Sequence, residues 1–286
     1  TWGRDTFIAL PGITLARGNY KIARDVIQTM GKRLKNGLFP NMGIKNDVSY
    51  NSVDAPMWFI YALREYEKHL PESEIWRTWG SKIKSILKAF RDGTDFNIKM
   101  DQNGLIYAGE EGKALTWMDA VNTFGPVTPR IGNPVEVNAL WYNNLVQSLM
   151  WAEKSGDTKF ISEWKDLPER IANSFIQHFW NDEKGYLADF INNNEQSFDV
   201  RPNMVIAAAM DHSPLTQEQK NSILEVAESE LLTPKGLRTL SPKNLSYKGV
   251  YQGNQDERDA AYHQGTVWPW LLEFFVKAYL QIHKKS

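Results

Sequence analysis

Apolar residues recur every three to four positions along most of this chain, and sustained strand-type alternation is absent. The helical period runs through Thr6–Arg17, Tyr20–Leu34, Ser52–Leu70, Glu72–Phe90 and Pro134–Lys154, then Thr158–Trp180, Arg201–Met210, Thr216–Leu232 and Asp259–His283. Segments of this kind bury an apolar stripe against one another, which predicts an all-α fold. Local signals agree. Asp157 is placed to cap the sixth helix, Pro134 and Pro202 sit where a first-turn proline is tolerated, and Gly18 and Gly156 end helices.

The connections carry a second pattern. Asn36-Gly37-Leu38, Asn103-Gly104-Leu105, Lys184-Gly185-Tyr186 and Lys235-Gly236-Leu237 follow alternate helices, each glycine suiting a left-handed turn before a short extended piece. Tight links such as Leu70-Pro71 and Lys154-Ser155-Gly156 separate the helices within each pair. Stacked αα-hairpins follow, with the glycine loops on one side. Pro56–Leu63, Met204–Met210 and Trp268–Val276 are apolar nearly throughout, as inner helices of a closed double ring would be. Lys82–Asp92 and Gln217–Glu230 are amphipathic, as outer helices would be. Five inner and four outer segments are three short of a six-hairpin (α/α)6 toroid, and the remainder is expected upstream of Thr1. Residues 1–286 are read as a single catalytic domain preceded by a neighbouring domain of the same parent chain.

Composition removes several functions. Lys plus Arg (33) nearly balances Asp plus Glu (34), so a nucleic-acid partner is not expected. No apolar run reaches the roughly 20 residues of a membrane span. There are 0 cysteines, and the 5 histidines show no ligand spacing, so no metal site is expected and no cofactor is implied. Without an initiator Met or signal segment at Thr1, a cytoplasmic location is only an expectation. Aromatic residues make up 12%, including 11 Trp, the side chain suited both to cores and to stacking on sugar faces.

The stretch between Phe90 and Pro134 lacks helical period and holds Asp101, Glu110, Glu111 and Asp119. Connections this long inside a compact domain are usually functional, and this one is placed to hang over the centre of a toroid. Acid–base chemistry here falls to carboxylates, with His263 as the other option. An inverting glycosidase sets a protonated carboxyl on the leaving oxygen and a carboxylate about 6.5–9.5 Å away. Asp119, after Trp117-Met118, has the aromatic setting that keeps a carboxyl protonated, or else it caps the next segment.

Trp2-Gly3-Arg4-Asp5-Thr6-Phe7, Thr116-Trp117-Met118-Asp119 and Thr128-Pro129-Arg130 with Pro134-Val135-Glu136-Val137 resemble glycogen debranching enzymes. So do Arg238-Thr239-Leu240-Ser241-Pro242 and the run from Tyr262 to Trp270. The resemblance is to their C-terminal amylo-α-1,6-glucosidase domain. It implies an (α/α)6 toroid and inverting hydrolysis of α-1,6-linked glucose at branch points of a glycogen-type α-glucan. It further implies that Asp119 is the general acid and that Arg4 and Asp5 grip the terminal glucose, where an ion pair at a helix start is the plainer alternative. Glu136 either orients substrate or water, or caps its helix.

The family's presumed base is a glutamate where this chain has Val267, and valine takes no proton. Asp256, Glu257, Asp259 and Glu136 are the candidates, with Glu257 and Asp259 favoured because Glu257-Arg258-Asp259 is similar to a glucoamylase stretch. Trp2, Trp58, Trp117, Trp141, Tyr262, Trp268 and Trp270 are candidates for a stacking floor, with His263 and Arg130 as further substrate contacts. Lys35, Lys45 and Arg130 read otherwise as surface or helix-end charges, and Glu273 as structural. Competing functions are another toroidal exo-glycosidase (an α-1,4-glucosidase or trehalase-like enzyme) and a glucan-binding domain without chemistry.

Overall fold

The computed structural model describes residues 2–44, 47–70 and 74–283, so Lys45 and the proline of the Leu70-Pro71 link lie outside the described residues. About half of the chain is helical. The helices are α1 (Gly3–Ile13), α2 (Tyr20–Gly31), α3 (Ala55–Glu67), α4 (Glu74–Asp92), α5 (Val135–Lys154) and α6 (Thr158–Trp164). They continue with α7 (Leu167–Phe179), α8 (Asn203–Ala208), α9 (Gln217–Glu230), α10 (Gln255–Tyr262) and α11 (Leu271–His283).

Helices α1, α3, α5, α8 and α11 pack one on the next in that order, and α2, α4, α6, α7 and α9 lie against their outer sides. Burial follows the same division. In α3 every residue from Ala55 to Leu63 is buried, whereas α4 buries Ile75, Trp76, Trp79, Ile83, Ile86, Leu87 and Phe90 at helical spacing, leaves Lys82 and Lys84 partly buried and exposes Lys88. Phe7, Phe39 and Phe59 pack edge-on and tilted at the first of these contacts, with centroids 4.9–5.3 Å apart.

Two predicted helices are each divided. Thr158–Trp180 breaks at Lys165-Asp166 because Pro168, in the first turn of α7, cannot continue the preceding helix. Asp259–His283 breaks between α10 and α11, where Gly265 takes φ +151° and Pro269 precedes the new helix. Helix α10 starts four residues earlier than its apolar period suggests, because Asn254 and Glu257 form a capping box. Asp157 does cap α6, accepting from the Phe160 amide.

The repeated glycines Gly37, Gly104, Gly185 and Gly236 all have positive φ. Short antiparallel pieces follow them, including Ile106–Tyr107, Tyr186–Leu187 and Gly236–Arg238. Strands are therefore present, contrary to a purely helical expectation. They are two or three residues long, too short for alternation to register in the sequence. The Phe90–Pro134 connection holds two such hairpins and delivers Asp119 between them.

Candidate active site

A cavity of about 580 Å³ opens between α1 and α11. Trp2, Arg4, Asp5, Ile8, Ala9 and Gly12 supply one wall; Trp117 and Asp119, Tyr262 and His263, and Trp268, Trp270 and Glu273 supply the rest. Arg4, Asp5, Ile8, Ala9 and Gly12 share a wall because they lie at helical spacing on α1. The helix begins close beneath a loop: the Gly3 amide donates to the Pro40 carbonyl at 2.8 Å, and a Cβ on Gly3 would sit 2.6 Å from that oxygen. Any other residue there would push Arg4 and Asp5 out of place.

Arg4 is buried and its guanidinium holds the site together. Nε donates to both Asp54 oxygens at 2.8 Å, Nη1 to Asp119 Oδ2 at 2.8 Å, and Nη2 to Ser52 Oγ at 3.2 Å. One cation thus faces two carboxylates. Asp54 is fully buried and takes the larger share of the charge, leaving Asp119, a quarter exposed, incompletely compensated. Burial therefore raises the Asp119 carboxyl above the usual aspartate range, with Arg4 opposing. Asp54 and Ser52 carry no motif that marks them. Only the fold brings them to Arg4, 50 and 48 positions away.

The aromatic wall is ordered by its polar edges. Trp117 Nε1 donates to Asn203 Oδ1 at 2.6 Å, while its ring stands perpendicular to His263 and Trp270 at 5.3 and 5.1 Å. Trp268 Nε1 donates to the Tyr262 carbonyl, and the two rings meet edge-on at 4.9 Å. Trp2 is half-exposed at the rim. Trp58 and Trp141 are wholly buried and belong to the core, not to the cavity wall.

His263 is buried against Trp117, and burial among Arg4, Arg201 and Arg130 lowers its imidazole to about 3. The Ala120 amide lies 3.4 Å from Nδ1, which puts the proton of the neutral ring on Nε2 as a donor. The unfolded chain takes up a proton near pH 6.5 that the folded chain refuses. The stabilising contribution is thus complete above about 6.5 and is lost toward 3, at roughly 1.4 kcal/mol per pH unit. Urea unfolding at pH 5 and 7 is expected to show a smaller stability loss for His263→Gln than for the parent chain; equal losses would contradict it.

Glu136 and Arg130 lie elsewhere. Both are fully buried; Arg130 donates to Glu136 at 2.5 and 2.7 Å and to Asp189 Oδ2 at 2.7 Å. Asp189 in turn accepts from Asn203, the residue that holds Trp117. Arg130 is therefore neither a surface charge nor part of the cavity wall, and it braces the segment behind Trp117. Lys35 is exposed.

The base candidates also fall outside the wall. Glu257 closes the capping box of α10 through the Asn254 amide, and Asp259 accepts from Gln255. Asp256 accepts from Thr123. Asp119 shares the cavity with Asp5 and with Glu273, which the sequence reads as structural. Glu257→Gln and Asp259→Asn are expected to leave turnover within about threefold of the parent; a hundredfold loss in either, with the fold retained, would return that residue to the chemistry.

A carboxyl whose titration burial shifts upward in an aromatic cavity, beside a charged fork and further carboxylates, fits a glycoside-hydrolase type of site. The chain belongs to the amylo-alpha-1,6-glucosidase family, whose model matches residues 1–286. It is 25% identical over 379 residues to the glycogen debranching enzyme of Saccharomyces cerevisiae, covering 100% of this chain and 24% of that one. It is 28% identical over 135 residues to the periplasmic trehalase of Citrobacter koseri, covering 45% of this chain and 22% of the trehalase. The chain thus spans about a quarter of the length of the curated relatives it matches. In fold it is similar to a rhamnosidase from Klebsiella oxytoca, with TM-score 0.57, 13% identity, and coverage of 100% of this chain and 46% of that one. A GH78 rhamnosidase of Bacillus sp. GL1 gives TM-score 0.61 and 15% identity, covering 99% of this chain and 25% of that one. Among the described residues no helix is long and apolar enough to cross a membrane, and no group of three His, Cys, Asp or Glu is placed to hold a metal ion.

Proposed function

We propose that this chain forms the glucosidase part of a debranching-type enzyme, hydrolysing α-1,6-linked glucose at branch points of an α-glucan with inversion. Its serially packed inner helices belong, on this reading, to an (α/α)6 toroid. The observation that carries the proposal is Asp119: its carboxyl lines the cavity, bound to Arg4, and burial shifts its titration upward from the usual aspartate range.

Asp119 protonates the glycosidic oxygen as the bond to the anomeric carbon breaks, and a water attacks from the opposite face. Asp5 accepts from sugar hydroxyls and His263 Nε2 donates to one, while Trp117, Tyr262, Trp268 and Trp270 line the apolar faces of the ring. Arg4 acts through Asp119, since most of its donors are already engaged. Water activation falls to a carboxylate of the same cavity, and Asp5 and Glu273 are the two besides Asp119 among the described residues. Asp5→Asn and Glu273→Gln separate them: the variant that regains turnover with azide, forming the β-glucosyl azide, identifies the base.

Glucose release from isomaltose-type and maltose-type ends tests the specificity. Faster release from the α-1,6 ends is expected, and equal rates would contradict branch-point specificity. Similarity to a trehalase over 45% of the chain makes trehalose the control; preferential hydrolysis of trehalose would replace the proposed substrate. Binding of branched glucan with no release from any substrate would make the chain a binding domain.

A further inference from the structure

Two residues beyond Asp119, the chain enters a tight hairpin, Val121–Asn122 against Gly125–Pro126, whose tip is Thr123-Phe124. Phe124 is 93% exposed, so nothing in the fold uses its ring. Burying a phenyl ring stabilises a fold, and here that contribution is forgone. The tip is nevertheless firmly held. Thr123 donates its amide to Asp256 Oδ1 at 3.1 Å and its hydroxyl to Oδ2 at 2.5 Å, and the Phe124 amide donates to Asn122 Oδ1 at 2.9 Å.

Asp256 stands in the first turn of α10, and the same helix ends at Tyr262 in the cavity wall. Tyr262 is packed 5.7 Å from Tyr251, which is itself half-exposed, and Val121 at the hairpin base is half-exposed too. Tyr251, Val121 and Phe124 are thus exposed apolar side chains on the segments that adjoin the cavity wall at Tyr262 and Asp119. Five extended residues from Asp119 to Phe124 span at most about 18 Å. The hairpin is thus tied to the cavity wall twice, through the chain to Asp119, with the Ala120 amide on His263 Nδ1, and through Asp256 to the helix that ends at Tyr262.

We propose that the Thr123-Phe124 hairpin is a docking platform for the main chain of the glucan, on which Phe124 stacks against the C–H face of a sugar beyond the scissile bond. Asp256 is a positioning residue that holds the platform. The proposal rests on the glucosidase reading, since it assigns the leaving-group side of that site.

Kinetics on two substrates test it. For Phe124→Ala, KM on a branched limit dextrin is expected to rise about 3- to 10-fold with kcat unchanged, the range a single aromatic contact supplies. Isomaltose, too short to reach the hairpin, is expected to show parent kinetics. Phe124→Trp restores the dextrin KM, and Asp256→Asn raises it without changing isomaltose. Unchanged dextrin KM in Phe124→Ala overturns the platform while leaving the glucosidase reading intact. If the parent chain hydrolyses neither substrate, dextrin binding decides: weaker binding by Phe124→Ala keeps the platform and ends the glucosidase reading, and equal binding ends both. Loss of self-association in Phe124→Ala, with an unchanged dextrin KM, would assign the ring to a contact between copies and overturn the proposal.

Discussion

On the proposed glucosidase reading, Asp119→Asn is expected to lower the turnover of α-1,6-linked glucose by about 10²- to 10⁴-fold and to leave the fold intact. The amide has the same volume as the carboxyl, and its oxygen still accepts from Arg4 Nη1, so the Arg4–Asp54 pair keeps its surroundings. It has no proton to give to the leaving oxygen. KM is expected to change little, because Asp5, His263 and the aromatic wall remain. The pH dependence carries a second signature. As the proposed general acid, Asp119 would work protonated, so parent kcat/KM is expected to fall as pH rises through its pKa, which burial moves above the usual aspartate range. The residual activity of the Asn variant lacks that limb. A variant with more than a third of parent activity would remove Asp119 from the acid role.

Arg130→Met is expected to cost about 3–5 kcal/mol of stability, measured by urea unfolding. Arg130 is the cation shared by Glu136 and Asp189, and all three side chains are at most 2% exposed. Removing it strands two carboxylates without a charge partner in a place water does not reach. The damage propagates along a defined route, since Asp189 holds Asn203 and Asn203 holds Trp117. Glu136→Gln is the companion test. Where the purpose of Glu136 is to neutralise Arg130, the variant is less stable but turns over within about threefold of the parent. Full loss of turnover in a folded Glu136→Gln protein would make Glu136 part of the chemistry.

Local signals in the sequence located what local physics decides. The inner and outer helices follow from periodicity, the start of α6 from Asp157, and the loop turns from glycines at regular places. Asp119 is legible because its neighbours Trp117 and Met118 are buried beside it, so adjacency in sequence mirrors adjacency in space. Asp54 and Ser52 were not legible. They meet Arg4 only after α1 and α3 pack, and an aspartate just ahead of an apolar helix reads equally well as a simple cap. Glu257 shows the converse case: three positions after Asn254, its spacing is also that of a capping box, and its carboxylate accepts from the Asn254 amide. Glu273 reads as structural because it lies in an apolar run beside Phe274 and Phe275, yet it sits on the face of α11 that lines the cavity.

A crystal structure with a non-hydrolysable thio-linked isomaltoside tests the central claim most directly. The non-reducing glucose is expected between α1 and α11 against Trp117 and Trp270, with an Asp119 oxygen about 3 Å from the bridging sulfur. A sugar seated away from Arg4, or an Asp119 carboxyl turned from the bridging atom, would contradict the assignment of this cavity as the site of bond cleavage.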